Sequence, residues 1–510
     1  MVQAGGVGRW KMGLSLDTVT NVVDGVSDQL ILSLEESFSM DLRSRIHPAC
    51  RLGCLALVLA VAALGGRPAA AQVTAQTLIG KAVSDDAQNK EINNAITRFR
   101  DRDIDGCRAM LERAKSNNPK LPPPGVMMAM LWLSVNQLQP ARAELEETTV
   151  KFAGDPEPYL MLGDLAFQER RVTDADVLFS KATELTAAYA DNAKRKRDFD
   201  IRCNAGSAAV AEARKQWDAA QKHLKAWIEL DPDNASAHQR MGIVLFQLGL
   251  EQEALAEFQE ARKLDEKAVQ PELALARLYD DAKKRDTAKT FIDQAIKAAP
   301  NDAAVMLAAA QWYLGQNNLE EAKKIAEDAL KLDPKSLEGR IVRGAIARVA
   351  RDYPTAEKFF NEAHVQSPGN FAASNSLALV LVESDDKDAR QRAVEMAEAN
   401  VAMYRENSPQ QVNALTTLAW VYYKVGRRED AEKILDQIAR NNALTTDGAY
   451  YVSKLLSDRG EKDRARKILE EVLANEPMFA TRPDANDLLA KLKKETGESS
   501  GGGSGSGGGN

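Results

Sequence analysis

Large and reactive side chains are scarce in this chain. Phe, Tyr and Trp make up only 6% of the sequence, although 44% is hydrophobic. A thick globular core leans on aromatic residues, which bury the most area each, so this composition suits Ala-rich helices packed in thin layers. Cysteine is limited to four residues, two of which, Cys50 and Cys54, fall in the leader described below. Cys107 and Cys203 are too far apart for a disulfide framework; Cys107 reads as a buried apolar filler. The histidines outside the leader, His223, His238 and His364, have no second ligand at helical spacing, so no metal site is expected. Phosphate-binding G-x-x-x-x-G-K-[ST], zinc-binding H-E-x-x-H and the nucleophile elbow G-x-S-x-G are all missing. The expectation is therefore no catalytic residue, no metal and no cofactor: not an enzyme. A net charge of -7 provides no basic footprint for nucleic acid.

No apolar run approaches the ~20 residues that span a bilayer. The longest, Leu52 to Gly66, follows Arg43, Arg45 and Arg51 and precedes Ala69-Ala70-Ala71-Gln72. A basic stretch, a short apolar stretch and an A-x-A site form a secretory signal. Residues 40–71 are read as a signal peptide cleaved after Ala71. Residues 1–39 precede it awkwardly and read as a doubtful N-terminal extension, Met40 being the natural start. The expectation is an exported protein, periplasmic or associated with the cell envelope, and not an integral membrane protein once the signal is removed.

What the body has is a repeat. Residues 235–268 read ASAHQRMGIVLFQLGLEQEALAEFQEARKLDEKA. Met241, Gly242 and Leu245 share one helical face; Ala254, Phe258 and Ala261 share another. Gly249 lies between, where a turn needs a permissive residue. Stepping by about 34 residues recovers Ala208, Ala220, Leu224 and Pro232, then Ala276, Tyr279, Ala288, Ala295 and Pro300. Further on come Ala310, Tyr313, Ala322, Ala329 and Pro334, then Gly344, Ala356, Phe360, Ala363 and Pro368. Upstream, Leu162-Gly163, Ala175, Phe179 and Ala182 fit, as do Ala129, Trp132, Ala141 and Leu145.

This pattern resembles the tetratricopeptide repeat, a helix-turn-helix unit with small residues where its two helices cross and a proline that ends the second helix. The resemblance implies an all-α, right-handed superhelical solenoid of about eleven repeats. A short N-terminal segment (72–87) precedes repeats 1–3 (88–189). A basic insert with Lys194-Arg195-Lys196-Arg197 (190–200) separates these from repeats 4–8 (201–370). A ninth repeat expanded by loops (371–411) includes the acidic Ser384-Asp385-Asp386, and repeats 10–11 cover 412–479. A capping helix (480–496), with Asp484 as its N-cap, precedes a disordered Gly/Ser tail (497–510). The basic run is expected to be solvated.

Repeats of this kind use the first helix of each unit to line a concave groove. The groove positions give an apolar N-terminal stretch: Ile92, Ile96, Phe99, Val126, Met130, Leu133, Leu160 and Phe167. The middle is mixed, with Gln239, Phe246, Arg277 and Gln311. The C-terminal units offer Trp420, Tyr423 and Tyr450. Exposed aromatics at regular spacing suit an extended peptide or an amphipathic helix. The carboxylate clamp of one family subtype is excluded, because no repeat has its Lys and Asn pair. The expected function is a non-catalytic protein–protein interaction scaffold of the cell envelope, serving assembly, secretion or polysaccharide export, and compatible with a homo-oligomer. The alternatives are an accessory subunit that presents substrates to a separate enzyme, and a groove for glycan or lipid.

Overall fold

A computed structural model describes residue 78 and residues 90–404, 408–440, 444–475 and 479–495. These belong to the larger of two units, Gly65–Asn510. The leader, the N-terminal extension and the Gly/Ser tail lie outside the described residues.

The described residues form 23 helices and no strand. They run α1 (Lys90–Arg100), α2 (Ile104–Asn117), α3 (Pro124–Ser134), α4 (Leu138–Lys151), α5 (Glu157–Gln168) and α6 (Val172–Ala188). Next come α7 (Ala193–Ala213), α8 (Trp217–Leu230), α9 (Ala235–Gln247), α10 (Glu251–Leu264), α11 (Pro271–Asp281) and α12 (Arg285–Ala298). The series continues with α13 (Ala303–Gly315), α14 (Leu319–Leu332), α15 (Leu337–Val349), α16 (Tyr353–Gln366), α17 (Phe371–Leu381) and α18 (Lys387–Ala402). It closes with α19 (Pro409–Lys424), α20 (Arg428–Arg440), α21 (Thr446–Asp458), α22 (Lys462–Asn475) and α23 (Arg482–Glu495). Odd- and even-numbered helices pack pairwise as hairpins; α5 also meets α7, and each odd helix from α9 to α21 meets the next odd one. The architecture is an all-α superhelical repeat.

Short turns make the hairpins. Arg102, Asn136, Arg170, Lys215, Gly249, Lys283, Asn317, Arg351, Gly426 and Gly460 each sit at positive φ just after an odd helix. Only three are glycine; the other side chains hold a backbone shape that disfavours them. The returning helices start on polar caps such as Asn318 and Asp352, whose side chains accept from Glu321 N and Thr355 N.

Where the two helices of a pair cross, size is matched. A Cβ on Gly163 would lie 2.7 Å from the Phe179 ring, one on Gly242 2.7 Å from Phe258, and one on Gly344 2.8 Å from Phe360. Where the odd helix carries alanine instead, the residue sixteen further on is smaller. Ala129 goes with Leu145, Ala208 with Leu224, Ala276 with Ile292, Ala310 with Ala326 and Ala419 with Leu435, each pair buried in one apolar cluster. Glycine lets phenylalanine lie flat on the partner backbone; alanine fills the same space with a shorter partner.

Two details depart from the sequence reading. The capping helix begins at Arg482, so Asp484 lies in its first turn rather than at the cap. The basic run is not uniformly solvated. The insert lengthens α7 at its N-terminus, and Arg195 and Phe199, one turn apart, face inward at 4% and 1% exposure. Lys194 and Arg197 point to solvent, as expected of a charge run. Arg195 is drawn in because two carboxylates, Asp155 and Glu157, wait at the start of α5.

Candidate functional site

The groove residues named from sequence have different fates. Ile96 and Phe99 are buried, not open to a groove, and so are Ile92, Val126 and Leu160. Leu78, N-terminal to the first hairpin and fully buried, belongs to the same apolar cluster as Ile92, Ile96 and Phe99, so the chain itself covers that face. Phe99 further packs edge-on against Trp132 at 4.9 Å. Met130, Leu133 and Phe167 are half-buried. Phe246 is half-buried against Tyr279, 4.9 Å between ring centroids. Arg277 and Gln311 are exposed, and Gln311 Nε2 donates to Glu338 Oε1 at 3.2 Å.

The C-terminal aromatics come together, but they are not the exposed rings anticipated. Trp420 is 7% and Tyr450 8% exposed, while Tyr423 is half-buried. The rings cover one another. Trp420 stacks on Tyr451 at 4.3 Å and on Tyr423 at 5.2 Å, and Tyr450 leans on it at 5.6 Å. Periodicity places these residues on one face; their mutual stacking removes most of that face from water.

What the stack leaves open is a cavity of about 390 Å³. Its wall is built from successive odd helices: Arg348 from α15, Leu379 from α17, Trp420, Tyr423 and Lys424 from α19, and Tyr450 and Lys454 from α21. Tyr353, Glu383, Arg390 and Arg428 stand at its sides, and Ala480, Thr481 and Asp484 close it at the start of α23. Thr481 is fixed there by Asp447, whose Oδ1 accepts from its amide at 3.0 Å and its hydroxyl at 2.7 Å. Arg351 Nη2 holds Asp484 Oδ1 at 2.9 Å.

Charges in this wall are mostly paired. Lys424 Nζ donates to Glu383 Oε2 at 2.7 Å, and Trp420 Nε1 to Glu383 Oε1 at 3.2 Å. Arg390 Nε donates to the Ser384 carbonyl at 2.6 Å. Lys454 and Tyr423 both reach Asp458, and burial together with the Asp458 bond pushes the Tyr423 phenol up. Burial first, and then the charges of Asp484 and Glu383, push the Tyr450 phenol well above its ordinary value. At neutral pH these tyrosines are hydrogen-bond donors, not bases.

Sequence reasoning missed Arg348 and Lys454. Both occupy the same helical positions that singled out Tyr423 and Trp420, so stepping those positions through every repeat would have found them.

Elsewhere the side chains do structural work. His238 is buried, its Nδ1 2.6 Å from Glu257 Oε2 and its Nε2 3.0 Å from the Pro232 carbonyl. Cys107 is fully buried, with Sγ 3.5 Å from Met128 Sδ, and burial pushes its thiol up to about 11. A smaller cavity of about 220 Å³ among α2, α3 and α4 has its main charges, Arg108 and Glu144, in a two-point ion pair. Among the described residues no group of three His, Cys, Asp or Glu side chains could hold a metal. No helix among them is long and apolar enough to cross a membrane.

Known proteins share the repeat. Models described as tetratricopeptide repeat match residues 281–346, 206–269 and 416–477. A DnaJ homolog subfamily C member 7 homolog from Schizosaccharomyces pombe is 27% identical over 195 residues, 36% of this chain. The match spans only 39% of that relative's length. Among solved structures, a tetratricopeptide repeat protein from Parabacteroides merdae aligns at 15% identity and a TM-score of 0.33, covering 58% of this chain and 99% of that one. Yeast Tom70 aligns at 14% identity and a TM-score of 0.35, covering 80% and 96%. The chain carries tetratricopeptide repeats over residues 206–269, 281–346 and 416–477, set in an all-α superhelical repeat fold.

Proposed function

We propose that this chain is a non-catalytic scaffold of the cell envelope that holds an extended peptide segment of a protein partner against its C-terminal repeats. The observation that carries the reading is the cavity walled by α15, α17, α19 and α21, with the edges of Trp420, Tyr423 and Tyr450 at its surface. An extended segment crossing successive odd helices meets Arg348, then Leu379, then Trp420 and Tyr423, then Tyr450 and Lys454. That spacing gives selectivity without a deep pocket. The residues from Arg43 to Gln72 support export, and Leu78 with Ile96 and Phe99 supports an N-terminal end closed to partners. The alternatives of a glycan or lipid groove and of an enzyme accessory have no residue of their own to favour them.

A photo-cross-linking amino acid placed at Lys454, and separately at the exposed Lys263 on α10, tests this in the full chain inside its own host. Adducts at 454 that map to one peptide segment, with none at 263, are the expected result. Adducts only at 263, or none at 454, would sink the groove. Cell fractionation with N-terminal sequencing checks the location, an N-terminus at Gln72 being expected.

A further inference from the structure

We infer that the C-terminal cavity contains an anion subsite centred on Arg348, and that its occupant is a carboxylate side chain of the partner peptide. This deepens the groove reading above and rests on it. The cavity wall carries five cations, Arg348, Arg390, Lys424, Arg428 and Lys454, against the carboxylates of Glu383 and Asp484. Four of the five already have a carboxylate. Lys424 has Glu383 at 2.7 Å, Arg390 has Asp385 at 3.3 Å, and Lys454 and Arg428 share Asp458 at 2.5 and 3.9 Å. Asp484 is held by Arg351. Among the described residues the Arg348 guanidinium has neither an ion pair nor a hydrogen bond.

An arginine left so is expensive. Its charge cannot be neutralised by losing a proton, and a half-buried guanidinium has given up much of its hydration. The hydroxyls of Tyr353 and Tyr450, in the same wall, also have no hydrogen-bond acceptor among the described residues. One cation and two O–H donors thus face a single cavity without an acceptor. The charges of Asp447 and Glu383 act on Arg348 from beyond bonding distance; a peptide carboxylate supplies the directly bonded lone pairs that all three groups lack, and a guanidinium fork takes it in two parallel bonds. The volume of about 390 Å³ leaves room for the neighbouring backbone and an apolar side chain against Leu379 and the Trp420 stack. That favours a peptide carboxylate over a small free anion.

The test is fluorescence anisotropy with the full chain and two labelled ten-residue probes, one alternating glutamate with leucine and the other its glutamine isostere. The wild-type chain is expected to bind the glutamate probe at least tenfold more tightly, with an affinity that falls with salt. Arg348→Gln is expected to bind both probes alike, and Arg348→Lys to keep part of the preference. Circular dichroism melts of both variants show that the fold is retained. Equal binding of the two probes by the wild type overturns the subsite while leaving the groove reading intact. So does a glutamate preference that survives Arg348→Gln. Loss of both probes from the wild type, together with no adduct at position 454, overturns the subsite and the groove together. Saturation by inorganic phosphate with no preference between the probes assigns the site to a free anion and overturns the peptide carboxylate.

Discussion

Arg195 Nη2 donates to Glu157 Oε2 at 2.6 Å, and both side chains are more than nine-tenths buried. The same guanidinium reaches Asp155 at 3.3 Å, donates through Nη1 to the Tyr189 hydroxyl oxygen at 2.9 Å and lies 4.9 Å from the Phe199 ring centroid. Burial pushes the Glu157 carboxyl up, against the charges of Arg195 and Arg202. Removing one partner of such a set leaves a charge buried without compensation. Arg195→Met is expected to destabilise the chain by about 3–5 kcal/mol. Lys194→Gln, one residue away but exposed, should change stability by less than about 0.5 kcal/mol. Urea denaturation followed by circular dichroism checks both; equal effects would mean that the run acts only as surface charge.

Gly344 and Phe360 test the matching of sizes at the helix crossing. Gly344→Ala puts a methyl 2.8 Å from the ring, well inside contact distance. Overpacking of this kind costs about 1–3 kcal/mol. Phe360→Leu alone opens space and costs about 1 kcal/mol or more. The double variant recreates the alanine–leucine pair that other repeats use, so it should lose clearly less than the sum of the two. A double-mutant cycle on urea midpoints measures this; strict additivity would show that the two side chains do not compete for the same space.

That pairing shows how much the sequence could reveal. A residue that recurs in register reports its own contacts, because every repeat is the same local problem solved again. Gly242 with Phe258, and Ala276 with Ile292, give the helix pairs and their crossing directly. Contacts that occur once do not recur and leave no period. Arg195 meets Asp155 and Glu157, some forty residues earlier, only because the insert lengthens α7; its one local sign is Phe199 a turn further on. The candidate site was half legible. Trp420, Tyr423 and Tyr450 fall on one face by periodicity, but that Tyr451 stacks beneath Trp420 follows from how neighbouring helices tilt. Arg348 was within reach of the same positional rule, and its lack of a partner becomes visible only when the other four cations are placed.

His223, on α8, gives a pH prediction. Burial first, and then the charge of Lys222, holds its imidazole below the ordinary 6.5. The unfolded chain therefore takes up this proton at higher pH than the folded one. By linkage, stability rises with pH wherever the unfolded state binds more protons. The contribution of His223 is thus fully present above about pH 7 and is lost as pH falls through 6.5 towards its folded value. His223→Gln keeps a polar group within reach of Asn204, which lies 3.3 Å from Nδ1. Its urea midpoint is expected to fall less between pH 7.5 and 5.5 than that of the unmodified chain. Parallel pH dependences of the two proteins would rule His223 out as a source of acid sensitivity.

Arg351 ties distant parts of the repeat array together. It sits at positive φ in the turn between α15 and α16, and its Nη2 holds Asp484 at 2.9 Å and Asp487 at 2.6 Å on α23. The Asp487 bond is the main cause that raises its affinity for the proton. Arg351 is 44% and Asp487 70% exposed, so water screens the contact, and its worth to overall stability is about 0–1 kcal/mol. Its effect should be local instead. Among the described residues α23 ends the stack, packing chiefly on α21 and α22, and a helix so placed opens more easily than one in the middle. A tether to α15 and α16 slows that opening. Arg351→Ala is therefore expected to leave the urea midpoint nearly unchanged while speeding hydrogen exchange of α23 amides several-fold. Exchange in α13, remote from the tether, should stay as it was. Uniform acceleration across both helices would indicate general destabilisation, and unchanged exchange in α23 would show that packing of Ala485, Leu488 and Leu492 alone holds the cap in place.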